Sequence, residues 1–373
     1  MARLARAEVF AADEVAIVHV MNRVVRRCFL LGDDPVTGKN YDHRKQWLDD
    51  QLVQQAKYFG IDLLCQAIMS NHFHLVLRSR PDVVAEWDDA EVARRWLMLC
   101  PAARDEHRQP IAPTEFELNQ IRNNKEKLAE IRRRLSDISW WMRLLSQNIA
   151  QRANHDDGEV GKFWQARYRA VRLLDETAIL ACAAYVDLNP IRAAMAETIE
   201  DSDYTSAQKR AGDLRGQSSV GSVQFSENAG GVSGKTAPQS KRSARHLSPV
   251  DLKERTTKPG PDVHKGGCRC SNKGFLPMST GQYLELLDWT ARQVVQGKTG
   301  ATPKHVAPLM QRLGLTEETW CSLVKDFGRL FSVVAGQPQQ IDEHRSARTS
   351  DDGSPAHRYR ARREARDLFS AAN

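Results

Sequence analysis

The chain has no long hydrophobic run. Among its 373 residues no stretch of about 18 or more is apolar throughout, which excludes a membrane-spanning helix on grounds of length. The opening MARLARAEVF has no apolar core of the kind a secretory leader needs, so the expected compartment is the cytoplasm, with no membrane partner. Cysteine is sparse as well. The seven present (Cys28, Cys65, Cys100, Cys182, Cys268, Cys270 and Cys321) are odd in number and mostly scattered, which indicates neither a disulfide framework nor a zinc site of paired CxxC motifs. Acidic side chains are outnumbered, 47 Asp and Glu against 54 Lys and Arg, for a net charge of +7. That balance tilts the expected partners toward polyanions, because clustered Lys and Arg attract phosphate and gain from counterion release.

What is present reads as alternating strands and helices. EVAIVHVM (14–21) is β-branched and apolar and predicts a strand. Leu48, Leu52, Ala56 and Phe59 recur at helical spacing over 43–59 and stop at Gly60. IDLLCQAIM (61–69) and HFHLVLRS (72–79) predict two strands joined by a turn at Ser70-Asn71. A charged stretch from 80 to about 135 reads as a helical insertion. Ile138, Trp141, Leu145 and Ile149 then mark a helix over 138–154, RYRAVRLL (167–174) a fourth strand, and Asp175 to Thr177 the start of another helix. The expected class is α+β, a ferredoxin-like antiparallel sheet with covering helices and a helical C-terminal module. The expected domain spans 1–210. A Ser/Gly/Lys/Pro-rich linker is expected over 211–273, then a small module over 274–340 with helices at 282–296, 304–314 and 317–333, and a basic, disordered tail over 341–373.

The chemistry centres on MSNHFHLVLRS (69–79). On a strand, residues i and i+2 share a face, so His72 and His74 can converge on one ion while Phe73 packs on the other side. A pair of imidazoles is also compatible with a purely structural role. Downstream, in AAYVDLNP (183–190), Tyr185 and Asn189 lie four apart and would share a helix face. A carboxamide oxygen can join two imidazoles around a hard cation, leaving positions for phosphate oxygens. A phenol beside that cation could attack a phosphodiester and form a phosphotyrosine, a bond that a free 3′ hydroxyl can reverse without ATP. Two plainer readings stand beside this one: Asn189-Pro190 has the form of a helix start with Asn as cap, and Tyr185 could be a core tyrosine with a satisfied hydroxyl.

Taken together, HVMNR (19–23), AIMSNHFHLVL (67–77), GKFWQARYRA (161–170) and AAYVDLNPIRAAM (183–195) resemble the single-tyrosine HUH transposases, specifically the REP-associated tyrosine transposase type. The resemblance covers about residues 10–205. It implies the HUH endonuclease fold, nicking and rejoining of single-stranded DNA at hairpins, Mg2+ or Mn2+ as cofactor, and a monomer. By the same resemblance Tyr185 is the nucleophile and His72, His74 and Asn189 are the metal ligands. Candidate DNA contacts are Asn22, Arg23, Arg26, Arg167, Tyr168 and Arg192, each of which could instead serve surface charge or packing. The insertion is longer than in compact members, and the chain after 210 has no counterpart in them. A hairpin-binding regulator or architectural protein that does not cut is the alternative from a different class. A His-x-His metalloenzyme acting on small molecules would leave the basic charge and the tyrosine unexplained.

Overall fold

The computed structural model describes residues 9–11, 13–25, 28–35, 38–106, 108–220, 243–252, 262–294, 302–351 and 361–370. Strand β1 (Ile17–Arg23) leads to helix α1 (His43–Tyr58), then the hairpin of β2 (Ile61–Ile68) and β3 (His72–Ser79). Four helices follow, α2 (Pro81–Ala85), α3 (Asp89–Leu99), α4 (Glu115–Arg122) and α5 (Lys125–Leu135), and then the long α6 (Ile138–Asp157). Strand β4 (Arg169–Leu173), α7 (Glu176–Asp187), α8 (Asn189–Arg192) and α9 (Ser206–Val220) come next. The C-terminal part carries α10 (Thr280–Val294), α11 (Val306–Leu313), α12 (Glu317–Leu330), β5 (Val334–Ala335), α13 (Pro338–Asp351) and α14 (Arg363–Ser370).

The strand order is β2-β3-β1-β4-β5. The first four strands pair antiparallel, and β1 is central because Val18 and Val20 are buried on one face while His19 is buried on the other. Alternation sorts the two cores. Val18, Val20, Phe73, Leu75 and Leu77 face α1 and α6, whereas Val76, Val171 and Leu173 face α7 and the C-terminal helices. The insertion helices α2–α5 extend the first of these layers, packing beside α1 and α6. Gly60, between α1 and β2, has a positional reason: a Cβ there would lie 2.0 Å from Val84 Cγ2.

The structure departs from the sequence reading in two places. The sheet is mixed, because β5 joins β4 in parallel through Arg172 N–H to Val333 O (2.8 Å) and Leu174 N–H to Ala335 O (2.9 Å). A two-residue strand has no period to read. Nor does the C-terminal half stand apart. Helix α7 is apolar on nearly all sides, with Leu180, Ala181, Ala183, Ala184 and Val186 all buried, and a helix of that kind must be covered both toward the sheet and away from it. Helix α12 supplies the outer cover. Within the stretch expected as a linker, α9 runs on to Val220, and Leu247, Val250, Cys270 and Ser271 are buried. The expected tail includes α14, whose Phe369 is buried in the same core.

Charge locks the former linker to the sheet. The buried carboxylate of Asp62 accepts from Arg78 (2.7 and 2.9 Å), Arg80 (3.3 Å) and both the N–H and hydroxyl of Ser271 (3.1 and 2.8 Å), while Arg78 also reaches the carbonyls of Lys273 and Gly274. Removing one side of such a buried cluster strands the other, at a cost of about 3–5 kcal/mol. Asp62→Asn is therefore expected to lower the urea unfolding free energy by about that amount; a loss under about 1 kcal/mol would mean that the cluster does not hold the 262–276 segment in place.

Candidate active site

Strand register assembles the site. Across β1, His72 pairs with Arg23, His74 with Met21 and Val76 with His19; on the other side Met21 pairs with Arg169 and His19 with Val171. Paired residues point the same way, so His72, His74, His19, Arg23 and Arg169 share the face that α7 covers. The side chain of Asp175 accepts from Ala178 N–H (2.8 Å) and starts α7, which carries Tyr185 back over His74 and His19 in its last turn. The Tyr185 ring meets His74 edge-on at 5.4 Å and His19 at 5.9 Å, and the rings of His72 and His74 lie 5.0 Å apart.

Each ligand candidate has one ring nitrogen engaged. His72 Nδ1–H donates to Asn71 Oδ1 (2.5 Å), and His74 Nδ1 shares a proton with His19 Nε2 (2.8 Å). The Nε2 of each is the remaining donor atom, the pattern in which outer contacts fix the tautomer of a metal-binding imidazole. Burial holds all three rings neutral. It is the main cause that brings His19 down to about 3, with Arg169 adding to it, and His72 down to about 4, with Arg23 adding to it. His74 is pushed well below the ordinary range, first by burial and then by the neighbouring charges. Asn189 opens α8 one turn beyond Tyr185 and is half-buried. Leu188 takes the capping position there, with no side-chain cap bond, so the carboxamide of Asn189 is not spent as a helix cap. Among the described residues no group of three or more His, Cys, Asp or Glu side chains is arranged to hold a metal ion. A metal on this face would therefore depend on the two imidazoles plus an amide oxygen.

Helix α12 closes the site from outside. A Cβ at Gly328 would sit 2.9 Å from Tyr185 Oη, so only glycine lets the helix come this near the phenol. Phe327 lies 5.7 Å from the Tyr185 ring, and with Phe331 it leaves a cavity of about 20 Å³, room for about one water molecule. Two arginines tie down the carbonyl end of α12. Arg169 donates to Gly328 O (3.2 Å) and Phe331 O, and Arg192 donates to Lys325 O while lying 4.8 Å over the Tyr185 ring. Burial raises the Tyr185 phenol above its ordinary value, with Arg192 opposing the rise.

The proposed DNA contacts divide by face. Arg23 and the exposed Arg167 line an open groove of about 170 Å³ next to His72. Asn22 also borders that groove, but it and Tyr168 are both buried and bonded toward α6, where Asn22 Nδ2 donates to Ser146 Oγ (3.2 Å) and Tyr168 Oη to Ser139 Oγ (3.3 Å). The period-2 alternation that brings Arg23 and Arg169 to the site sends their neighbours to the opposite face. Arg192 contacts the tyrosine and α12 rather than standing open, and Arg26 lies outside the described residues. Sequence reasoning passed over His19, although its place two residues before Met21 on a predicted strand was a usable signal. Phe327, Gly328 and Phe331 gave none, being more than a hundred residues away from Tyr185.

No family model and no curated protein matches the chain. Among solved structures it is similar to that of a REP-associated tyrosine transposase bound to a REP hairpin. The identity is 11% over 58% of this chain and 87% of that one, with a TM-score of 0.33, so the functional reading rests on this chain's own residues. Among the described residues no helix is long and apolar enough to cross a membrane.

The neutral imidazoles have a consequence for stability. Their ordinary value is 6.5, so between pH 6.5 and about 3–4 the unfolded chain binds protons that the folded chain refuses. Stability is thus unpenalised by these groups above pH 6.5 and falls as the pH drops below it. Urea midpoints are expected to decline from pH 7 to pH 5, and His19→Gln to flatten that decline. An unchanged slope in the variant would contradict the burial of a neutral His19.

Proposed function

We propose that this chain is a metal-dependent enzyme that nicks single-stranded DNA at hairpins and transfers the strand, acting as a monomer through a 5′-phosphotyrosine on Tyr185. The observation that carries the reading is the meeting of Tyr185 with His74, whose ring in turn lies against that of His72, on one sheet face although the tyrosine is more than a hundred residues away from both in the chain. A core tyrosine needs no such partners, and a structural His pair needs no tyrosine.

In this reading His72 and His74 would hold Mg2+ or Mn2+ through their Nε2 atoms, and Asn189 would be the third ligand. When bound, such a cation would supply Lewis-acid polarisation of a phosphoryl oxygen and would lower the cost of a phenolate nearby. Tyr185 Oη forms a bond to phosphorus as the bond to the 3′ oxygen breaks; the proton lost by the phenol is balanced by one gained at the departing 3′ hydroxyl. Arg192 favours the anionic phenol from above its ring, and Arg23 with Arg167 offers cationic anchorage for flanking phosphates. Because the phenol is packed against Gly328, cleavage in this reading requires α12 to move outward.

That same cover favours the second reading, a protein that binds hairpin DNA without cutting it. A labelled hairpin oligonucleotide incubated with manganese and run on a denaturing gel separates the two. The enzyme reading predicts a covalent protein-DNA band that Tyr185→Phe abolishes and that His72→Ala reduces by at least about 100-fold, with hairpin affinity changed only a few-fold. Tight binding with no covalent band in the native protein would establish the second reading instead.

A further inference from the structure

On the opposite face of the sheet, away from Tyr185, α1 and α6 border a groove of about 450 Å³ closed on its third side by the connection between α3 and α4. Its lining is unusual in kind. Gln51 and Gln54 from α1, Asn148 and Gln151 from α6, and Gln109 from the connection bring five carboxamides to one place. A carboxamide carries a donor and an acceptor side by side, the pairing that matches nucleobase edges, although the Gln54 amide nitrogen also reaches Met98 O (3.5 Å). Three guanidinium groups arrive from separate segments: Arg152 from α6, Arg104 and Arg108 from the connection. Arg104 and Arg108 are both exposed, and Arg152 lies 3.8 Å over the Trp47 ring, which fixes its position.

The connection is held in a specific shape. Asp105 N–H donates to Gln109 O (3.0 Å), Asp105 Oδ1 accepts from Gln109 N–H (2.7 Å) and Arg104 donates to Arg108 O (3.0 Å). Arg108 itself has φ 61°, a left-handed backbone that is costly for a non-glycine residue and persists only where the surroundings impose it. The charges in the groove are not fully matched. Burial and the charge of Arg108 both lower the Arg152 pKa, against the opposing pull of Asp50 and Asp156, while burial raises the Asp50 carboxyl toward its neutral form. An anion between Arg108 and Arg152 would relieve their repulsion.

We infer that this groove binds unpaired nucleotides of a single DNA strand, the arginines taking phosphates and the carboxamides the base edges. The volume is that of a small-ligand site, roughly 300–1,000 Å³, and admits one or two nucleotides but not a duplex. One wall is built by the inserted connection. The inference does not depend on chemistry at Tyr185, since the sheet separates the two places.

The test is fluorescence anisotropy of a labelled single-stranded 20-mer of mixed sequence with the full chain in EDTA, titrated across salt concentrations. Arg104→Ala/Arg108→Ala is expected to weaken binding at least about 5-fold and to reduce the salt slope by about 1.4, the value for two phosphate contacts on a single strand. Gln51→Ala/Gln151→Ala is expected to weaken binding with the slope unchanged. Both pairs are surface side chains, and their melting temperatures are to be measured alongside to show that the variants are folded. Native affinity and slope in the arginine variant would overturn the inference, as would equal binding of the annealed duplex or no binding by the native chain. Absence of a covalent band in the native protein, with this binding intact, would sink the nicking reading and leave the groove standing.

Discussion

Side-chain alternation along β1, β3 and β4 is the constraint on which the rest depends. Because successive residues point to opposite faces, one register places His19, His72, His74, Arg23 and Arg169 together and commits Val18, Val20, Phe73 and Leu75 to the other core. A slip of one residue in β3 would exchange the imidazoles for Phe73 and Leu75 and dissolve both the site and the α1–α6 layer. The hairpin at Ser70-Asn71 guards against that slip. It closes through Met69 N–H to His72 O (2.8 Å), and Asn71 O accepts from Val24 N–H (3.0 Å), which anchors the turn to the end of β1.

Burial works in two directions on this face. It keeps the histidines neutral, which suits a metal ligand, and it raises the phenol, which opposes a nucleophile. Both effects trace in part to α12, whose Phe327 and Gly328 lie against the rings. The contacts of Arg169 and Arg192 with α12 carbonyls show how that helix is held, by cations at the negative end of its dipole. The C-terminal half is thus part of the site's environment rather than an appendage to it.

The sheet was legible because its signals are local. The β2-β3 hairpin, the α1 and α6 stripes and the Asp175 start of α7 all follow from periodicity and capping, and the strand and helix bounds agree to within a few residues. Of the candidate site, the sharing of one strand face by His72 and His74 follows from period-2 alternation, and Tyr185 comes to lie against His74 through the packing of α7 on that face. What was not legible depends on long-range packing. Arg78, Arg80 and Ser271 meet at Asp62 across about two hundred residues, and nothing in the composition of 243–276 announces that polar side chains there are buried. The hydrogen bonds of Asn22 and Tyr168 toward α6 were likewise not legible, because their partners Ser146 and Ser139 lie on a distant helix.

The central claim is that a divalent cation sits between the two imidazoles and within reach of the phenol. Anomalous diffraction from crystals grown with manganese measures this directly. The account predicts a peak about 2.0–2.3 Å from His72 Nε2 and His74 Nε2, on the side of the sheet that carries Tyr185. A manganese peak elsewhere, with the His72 and His74 rings bound only to protein atoms, would contradict it.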